Sequence, residues 1–261
     1  MDLGLKGKVA LVSGASKGMG RAIAEEFARN GVAVAMTARG RPALEEAVEG
    51  IRAAGGKAIG VQGDMTVKAD VMRAVDATRQ AFGPPDIAIH NTNNTLPETN
   101  RGFDNTTDDA FRACHDDYVM SVVHLAREVL PHMKAQRWGR IVSLTSVCVK
   151  APHVDPLVLN NMRVVTVALL KTLSNEAAPF NVTINNIAPG PIITPSFEDY
   201  VKQLGQDLDT ASKWAANTIP AGRCGTPQDI ADMTVFLASE RASFVTGQTI
   251  LVDGGYTHTL Y

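Results

Sequence analysis

Cysteine is scarce in this chain: Cys114, Cys148 and Cys224 are odd in number, far apart and free of any Cys-x-x-Cys pairing. That pattern excludes a disulfide framework and a thiolate zinc site, and leaves three reduced packing residues. No apolar run approaches the ~20 residues of a membrane span. The opening Met1-Asp2-Leu3-Gly4-Leu5-Lys6-Gly7-Lys8 carries no apolar leader core, so the expected location is the cytoplasm. Neither sign of charge dominates: 25 basic and 27 acidic residues, spread along the chain, leave a net charge of -2. No electrostatic footprint for nucleic acid or an anionic membrane follows, and a small molecule is the expected partner. Linkers, repeats and low-complexity segments are also missing, so residues 1–261 read as one large α/β domain.

What is present is an alternation. Lys8 to Val12, Ala33 to Thr37, Ala58 to Gln62, Ile87 to Ile89, Arg140 to Leu144, Thr183 to Ile187 and Thr249 to Val252 are apolar and β-branched, as buried strands require. Amphipathic stretches separate them, predicting helices over Gly18 to Asn30, Pro42 to Ala54, Val67 to Phe82, Thr107 to Gln136, Leu157 to Ala178 and Pro227 to Ser239. Right-handed crossovers then give a Rossmann-type, doubly wound parallel sheet of about seven strands. Pro189 to Ala211 reads as a long irregular stretch, and a loop of that length suggests a substrate lid over about 189–215.

Behind the first strand stands Ser13-Gly14-Ala15-Ser16-Lys17-Gly18-Met19-Gly20, followed by the helix that opens at Arg21. Glycines there permit a tight turn and let backbone N–H groups and the helix N-terminus approach a pyrophosphate. The spacing Gly-x-x-x-Gly-x-Gly resembles the short-chain dehydrogenase/reductase family, in its 3-oxoacyl-acyl-carrier-protein-reductase-like form. Further likenesses extend over nearly the whole chain. They are Asp64, Asn91, Ser146, Pro189-Gly190-Pro191-Ile192-Ile193-Thr194, Gly222-Arg223-Cys224-Gly225-Thr226-Pro227-Gln228-Asp229-Ile230-Ala231 and Thr246-Gly247-Gln248-Thr249-Ile250-Leu251-Val252-Asp253-Gly254-Gly255. The resemblance implies a nicotinamide dinucleotide cradled by Gly14, Ser16, Lys17, Gly18, Met19 and Gly20. Asp64 and the backbone of Met65 would face the adenine, Asn91, Pro189 and Gly190 would complete the wall, and Ile192 and Thr194 would hold the carboxamide. Asp64 also reads as a plain helix cap.

The end of the second strand, Thr37-Ala38-Arg39-Gly40-Arg41, has no carboxylate for a ribose 2′-OH. Arg39 and Lys17 suit a 2′-phosphate instead, which favours NADP(H) over NAD(H) unless both are solvated surface charges. The family's Asn-Asn-Ala-Gly is His90-Asn91-Thr92-Asn93 here, with His90 read as structural or lining and Asn93 placing a side chain where glycine permits close approach.

The family's proton chemistry uses a Ser, a Tyr, a Lys four residues on and an Asn on the long helix. Ser146 matches. The Tyr-x-x-x-Lys segment reads Leu159-Asn160-Asn161-Met162-Arg163, and residues 137–180 contain no Tyr at all, so no shift of register restores it. Leu159 has no proton to give. Arg163 keeps a cationic donor for the nicotinamide ribose or for an oxyanion. Tyr118 falls on the Asn position, and reads either as a displaced proton donor beside Ser146 or as a core or interface ring. His153, Asp155 and Leu159 are candidate substrate-pocket residues, the first two also reading as solvated loop residues. No metal site is indicated.

Three readings follow. One is an atypical NADP(H)-dependent carbonyl or alcohol oxidoreductase. Another is a catalytically silent homologue, acting as a cofactor-binding protein or as partner subunit of an active family member. The third is non-redox lyase chemistry with His153 or Asp155 as acid/base. The resemblance also implies a homotetramer or dimer, built on the two long helices and the last strand.

Overall fold

The apolar runs pair in parallel into one sheet of order β3-β2-β1-β4-β5-β6-β7. The strands are β1 (Val9–Val12), β2 (Ala33–Ala38), β3 (Lys57–Gln62), β4 (Ile87–His90), β5 (Gly139–Leu144), β6 (Val182–Pro189) and β7 (Thr249–Val252). The computed structural model describes residues 2–92, 102–152, 157–203 and 205–260, with only the backbone of residues 157–159 and 203. The helices are α1 (Gly18–Arg29), α2 (Arg41–Ala53), α3 (Lys68–Phe82), α4 (Asp108–His115), α5 (Ser121–Ala135), α6 (Leu157–Ala177), α7 (Pro195–Gln203), α8 (Leu208–Thr218) and α9 (Pro227–Leu237). Strands β1, β4, β5 and β6 are buried along their whole length, which is why they read as unbroken apolar runs rather than alternating ones. Two apolar layers result. Val12, Ile23, Phe27, Met36, Ile187 and Ile230 pack on one face, and Leu11, Val75, Leu125, Val129, Ile141 and Ile184 on the other.

The chain starts in mid-sheet, winds outward through β2 and β3, then returns to place β4 beside β1. At this switch in direction the ends of two neighbouring strands leave a crevice, where ligands of doubly wound folds settle.

Two expectations need correction. Pro189 to Ala211 is not irregular: it holds α7 and the start of α8. Its prolines misled the reading, because Pro195 occupies the first helical turn, where a missing N–H costs nothing. Thr194 Oγ1 accepts from Phe197 N at 3.1 Å and Asp207 Oδ1 from Thr210 N at 2.8 Å, so both helices start on side-chain caps. The expected helix over Thr107 to Gln136 is interrupted by a π-turn at Asp116–Met120, between α4 and α5.

Below the sheet, Arg140 is fully buried in β5. Its guanidinium donates to Gly139 O (2.9 Å) and Asn181 O (3.1 Å) and lies 4.4 Å over the Trp138 ring, with Lys8 Nζ 3.7 Å from the same ring. Arg140 Nη2 has no hydrogen bond among the described residues, and Glu240 lies 3.6 Å from it while accepting from Trp138 Nε1 at 2.6 Å. Glu240→Gln keeps the Trp138 bond and removes the charge opposite a buried cation. With Glu240 half exposed, the expected cost is about 1–2 kcal/mol rather than the larger penalty of a fully buried pair. Thermal denaturation should show a fall in Tm of a few degrees, and an unchanged Tm would mean that solvent already neutralises Arg140.

Candidate functional site

The crevice is lined first by the glycine turn. Ser13 Oγ accepts from Asn91 N at 2.8 Å, and Asn91 Nδ2 donates to Gly14 O at 3.2 Å, so the ends of β1 and β4 are stitched together. Gly14 (φ +59°) and Gly18 (φ +57°) adopt a backbone conformation that side chains disfavour. A Cβ on Gly14 would lie 2.4 Å from Asn91 O, and one on Gly20 would lie 2.2 Å from Gly14 O. Behind them α1 starts with Lys17 at its N-cap, with no side-chain cap and no acidic residue in its first turn. N–H groups without a side-chain cap at the positive end of a helix dipole, with a lysine beside them, fit an anion such as a pyrophosphate.

The remaining cofactor candidates surround this turn. Arg39 is exposed at the end of β2, its carbonyl held by Gln62 Nε2 at 2.9 Å. Met65 is buried, its Sδ receiving the Thr37 hydroxyl at 3.5 Å. Asp64 is not the helix cap: Val67 is the N-cap of α3, and Asp64 Oδ1 accepts from Thr66 N and Thr66 Oγ1, both at 2.9 Å. The Thr194 side chain lies against Gly18, at 3.4 Å from where a Cβ would stand, so the residue after β6 does reach the glycine turn. Ile192 is buried and bridges in parallel to Gly225. The Gly222–Ala231 motif makes that bridge: Thr226 and Asp229 form a capping box on α9, and Arg223 holds the Asp229 carboxyl well below the usual carboxylate range. Its job is structural.

At the chemical end, Ser146 follows β5 and caps a single 3₁₀ turn, Val147–Val149, accepting from Cys148 N at 3.4 Å and donating to Cys148 Sγ at 3.4 Å. The bond from Cys148 N is long, and the sulfur is a weak acceptor, so a stronger acceptor or donor can compete for the hydroxyl. Tyr118 sits in the π-turn, 1% exposed, its ring packed with Cys114, Phe111 and Met162. Arg163, one helical turn past Leu159 on α6, donates through Nη2 to Tyr118 Oη at 3.1 Å, with its guanidinium carbon 5.0 Å from the ring centroid. Arg163 Nε is buried with no hydrogen-bond partner among the described residues. Burial and the neighbouring Asp117 push the Cys114 thiol up to about 11, so it stays a neutral packing group.

A family profile described as enoyl-(acyl carrier protein) reductase matches residues 14–257. The short-chain reductase protein NovJ of Streptomyces niveus is 32% identical over 247 residues, covering 95% of this chain and 93% of its own. The 7alpha-hydroxysteroid dehydrogenase of Escherichia coli K12 is 30% identical over 254 residues, with 97% and 96% coverage. Among solved structures, L-sorbose reductase from Gluconobacter frateurii, complexed with NADPH and L-sorbose, superposes with a TM-score of 0.94 at 32% identity, over 100% of both chains. This chain belongs to the short-chain dehydrogenase/reductase family, a family of oxidoreductases.

Within that family frame, the structure brings together Gly14, Gly18, Gly20, Lys17, Asn91 and Thr194 at one end and Tyr118 and Arg163 at the other. His153, Asp155 and Asn93 lie outside the described residues, and so does the side chain of Leu159. The sequence reading gave Arg163 to the ribose or an oxyanion and left Tyr118 between two roles. It missed that each is the other's partner. Forty-five positions separate them, and no local pattern announces such a contact. It also missed the π-turn, although Ser121 and Thr166, the two hydroxyls that serve its carbonyls, were visible.

Proposed function

We propose that this protein is an atypical NADP(H)-dependent oxidoreductase acting on a small carbonyl or alcohol, in which the Tyr118–Arg163 pair stands in for the missing Tyr-x-x-x-Lys. The 3.1 Å bond from Arg163 to the phenol oxygen carries this reading. Arg163 uses that oxygen as an acceptor, so the phenol's own O–H remains available to another acceptor. The bound cofactor supplies the hydride. Ser146 orients the substrate oxygen, Tyr118 gives it a proton, and the Arg163 cation stands beside the phenolate left behind. Arg39 and Lys17, without a carboxylate at the end of β2, favour the 2′-phosphate of NADP(H). Helices α7 and α8 form the lid over the substrate, with Phe197 of α7 and Ala215 of α8 clustered with Ile219, Cys224 and Tyr256. Val164 and Val165 stand exposed on α6 as part of a subunit interface, and the cytoplasm is the proposed compartment.

A second reading, the silent homologue that binds cofactor or accompanies an active family member, is favoured by one observation: the Tyr118 ring is buried. NADPH oxidation against a broad panel of carbonyl compounds, with NADPH and NADH binding followed by fluorescence, separates the two. Expected are turnover that falls about a hundredfold in Ser146→Ala and NADPH affinity at least about tenfold above NADH, a preference erased in Arg39→Ser. Tight NADPH binding with the same background rate in wild type and Ser146→Ala would sink the reductase reading. Co-purification with a family member carrying an intact Tyr-x-x-x-Lys would favour the partner subunit.

A further inference from the structure

His90, the last residue of β4, is 1% exposed and lies outside the proton chemistry proposed above. Its Nδ1 is 3.0 Å from Ser143 Oγ on β5, and its Nε2 is 2.7 Å from Ser121 Oγ at the start of α5. Proton counting assigns the tautomer. Ser121 has a single hydroxyl proton, which it donates to the carbonyl of Asp117. It can therefore only accept from His90, so Nε2 carries the ring proton and Nδ1 accepts from Ser143. Burial lowers the His90 pKa to about 4, which keeps the ring in this neutral form at ordinary pH.

The Asp117 carbonyl belongs to the π-turn. Ser121 N reaches five residues back to Asp116 O, which is what widens the helix there. Two carbonyls of the turn also receive side-chain hydroxyls. Asp117 O receives Ser121, and Tyr118 O receives the buried Thr166 of α6 at 2.9 Å. The turn that carries Tyr118 is thus pinned from two directions, by α6 through Thr166 and by the sheet through Ser121 and His90.

We propose that His90 is a positioning residue: through Ser121 it ties the π-turn to the end of β4, and so sets where Tyr118 meets Arg163. The adjacent Asn91 ties the same strand end to the glycine turn. One strand terminus thereby registers the proton-donating pair against the cofactor cradle, and a histidine suits the task because its two ring nitrogens meet the hydroxyls of Ser143 and Ser121 at once.

The inference rests on the proposed function only for the use to which the pair is put, and its test reads position directly. Protein labelled with ¹³C at the tyrosine ζ-carbon is compared as wild type, His90→Phe, Ser121→Ala and His90→Gln, with the Tyr118 resonance identified by its loss in Tyr118→Phe. Phe keeps the volume without donor or acceptor, Ala cuts the same link while leaving His90 in place, and Gln keeps a donor. Expected are a displaced or broadened Tyr118 resonance in His90→Phe and Ser121→Ala, and backbone amide exchange faster by about tenfold confined to the π-turn, consistent with local opening. His90→Gln should restore both. NADPH affinity should stay within about threefold, while kcat falls about tenfold with KM for NADPH unchanged, and falls no further in a Tyr118→Phe background, as expected for residues acting as one unit. An unmoved Tyr118 resonance with unchanged exchange in both disruptive variants overturns the proposal, as does faster exchange spread evenly over β4 and β5. Absence of any turnover would sink the reductase reading instead, with the resonance and exchange still deciding the role of His90.

Discussion

Tyr118→Phe is expected to lower turnover by about a hundredfold to ten-thousandfold, the usual contribution of a positioned general acid, while NADPH affinity stays within about threefold. Phenylalanine preserves the ring packed among Cys114, Phe111 and Met162, so the change is confined to one oxygen. Losing that oxygen has two effects. The phenol proton goes, and Arg163 Nη2 loses its acceptor beside an Nε that has none among the described residues. The bond is part-buried, so its loss should cost about 1 kcal/mol, and a modest fall in Tm should accompany the kinetic loss. The two effects separate by measurement: steady-state NADPH oxidation reports the first and calorimetry the second. A variant that loses stability but turns over like wild type would reduce Tyr118 to a packing residue with a hydrogen-bonded tip, and water would then be the proton source. Arg163→Lys is a useful companion. It keeps the charge, yet a single ammonium cannot place two N–H groups as the guanidinium does.

Gly20→Ala carries the other large effect, and it concerns the cofactor. The added methyl would stand 2.2 Å from Gly14 O and 2.6 Å from Asn91 Nδ2. Neither neighbour is the free end of a flexible chain: one is the backbone of the glycine turn, and the other is already bonded to that backbone at 3.2 Å. Relief requires α1 to move away from β1, which costs about 1–3 kcal/mol in folding and draws the helix N-terminus back from the pyrophosphate position. Nucleotide binding should weaken by at least about a hundredfold, since the amides that receive the phosphates are no longer convergent. Gly50→Ala is the control. It lies within α2, where the nearest atom to a new Cβ is Arg21 Nη2 at 3.7 Å. There, alanine should stabilise the helix by about 0.5–1 kcal/mol with binding untouched. Equal losses in both variants, measured by fluorescence titration and thermal melts, would remove the steric argument.

The strands were legible because four of the seven are buried on both faces, and a parallel sheet covered by helices writes that burial as unbroken Val, Ile and Ala runs. The glycine turn was legible for a related reason: its geometry is enforced within eight residues, Ser13 to Gly20, so the constraint and its signature share one stretch of sequence. The region after β6 was misread because proline and glycine were taken as breakers. Pro195 instead starts a helix, and only the Thr194 hydroxyl on Phe197 N reveals it as one. The helix-cap reading of Asp64 fails because a short carboxylate bonds its own backbone two residues on as readily as it caps a helix.

The sequence alone determined the doubly wound sheet, the glycine turn after β1 and the absence of a tyrosine from residues 137–180, since each is local and carried by residue type or period. It also determined that position 159 holds a leucine, which has no proton to give. Only the tertiary structure decided that Tyr118 and Arg163 meet, that the helix between Thr107 and Gln136 widens into a π-turn to bring the phenol inward, and that a buried neutral histidine at the end of β4 is hydrogen-bonded beneath that turn. These contacts join residues 31 and 45 positions apart through side chains whose partners are set by how α5 and α6 pack on the sheet. Such pairings are satisfied only after the core has excluded water from around them, and until then a serine, a threonine or a histidine hydrogen-bonds equally well to solvent.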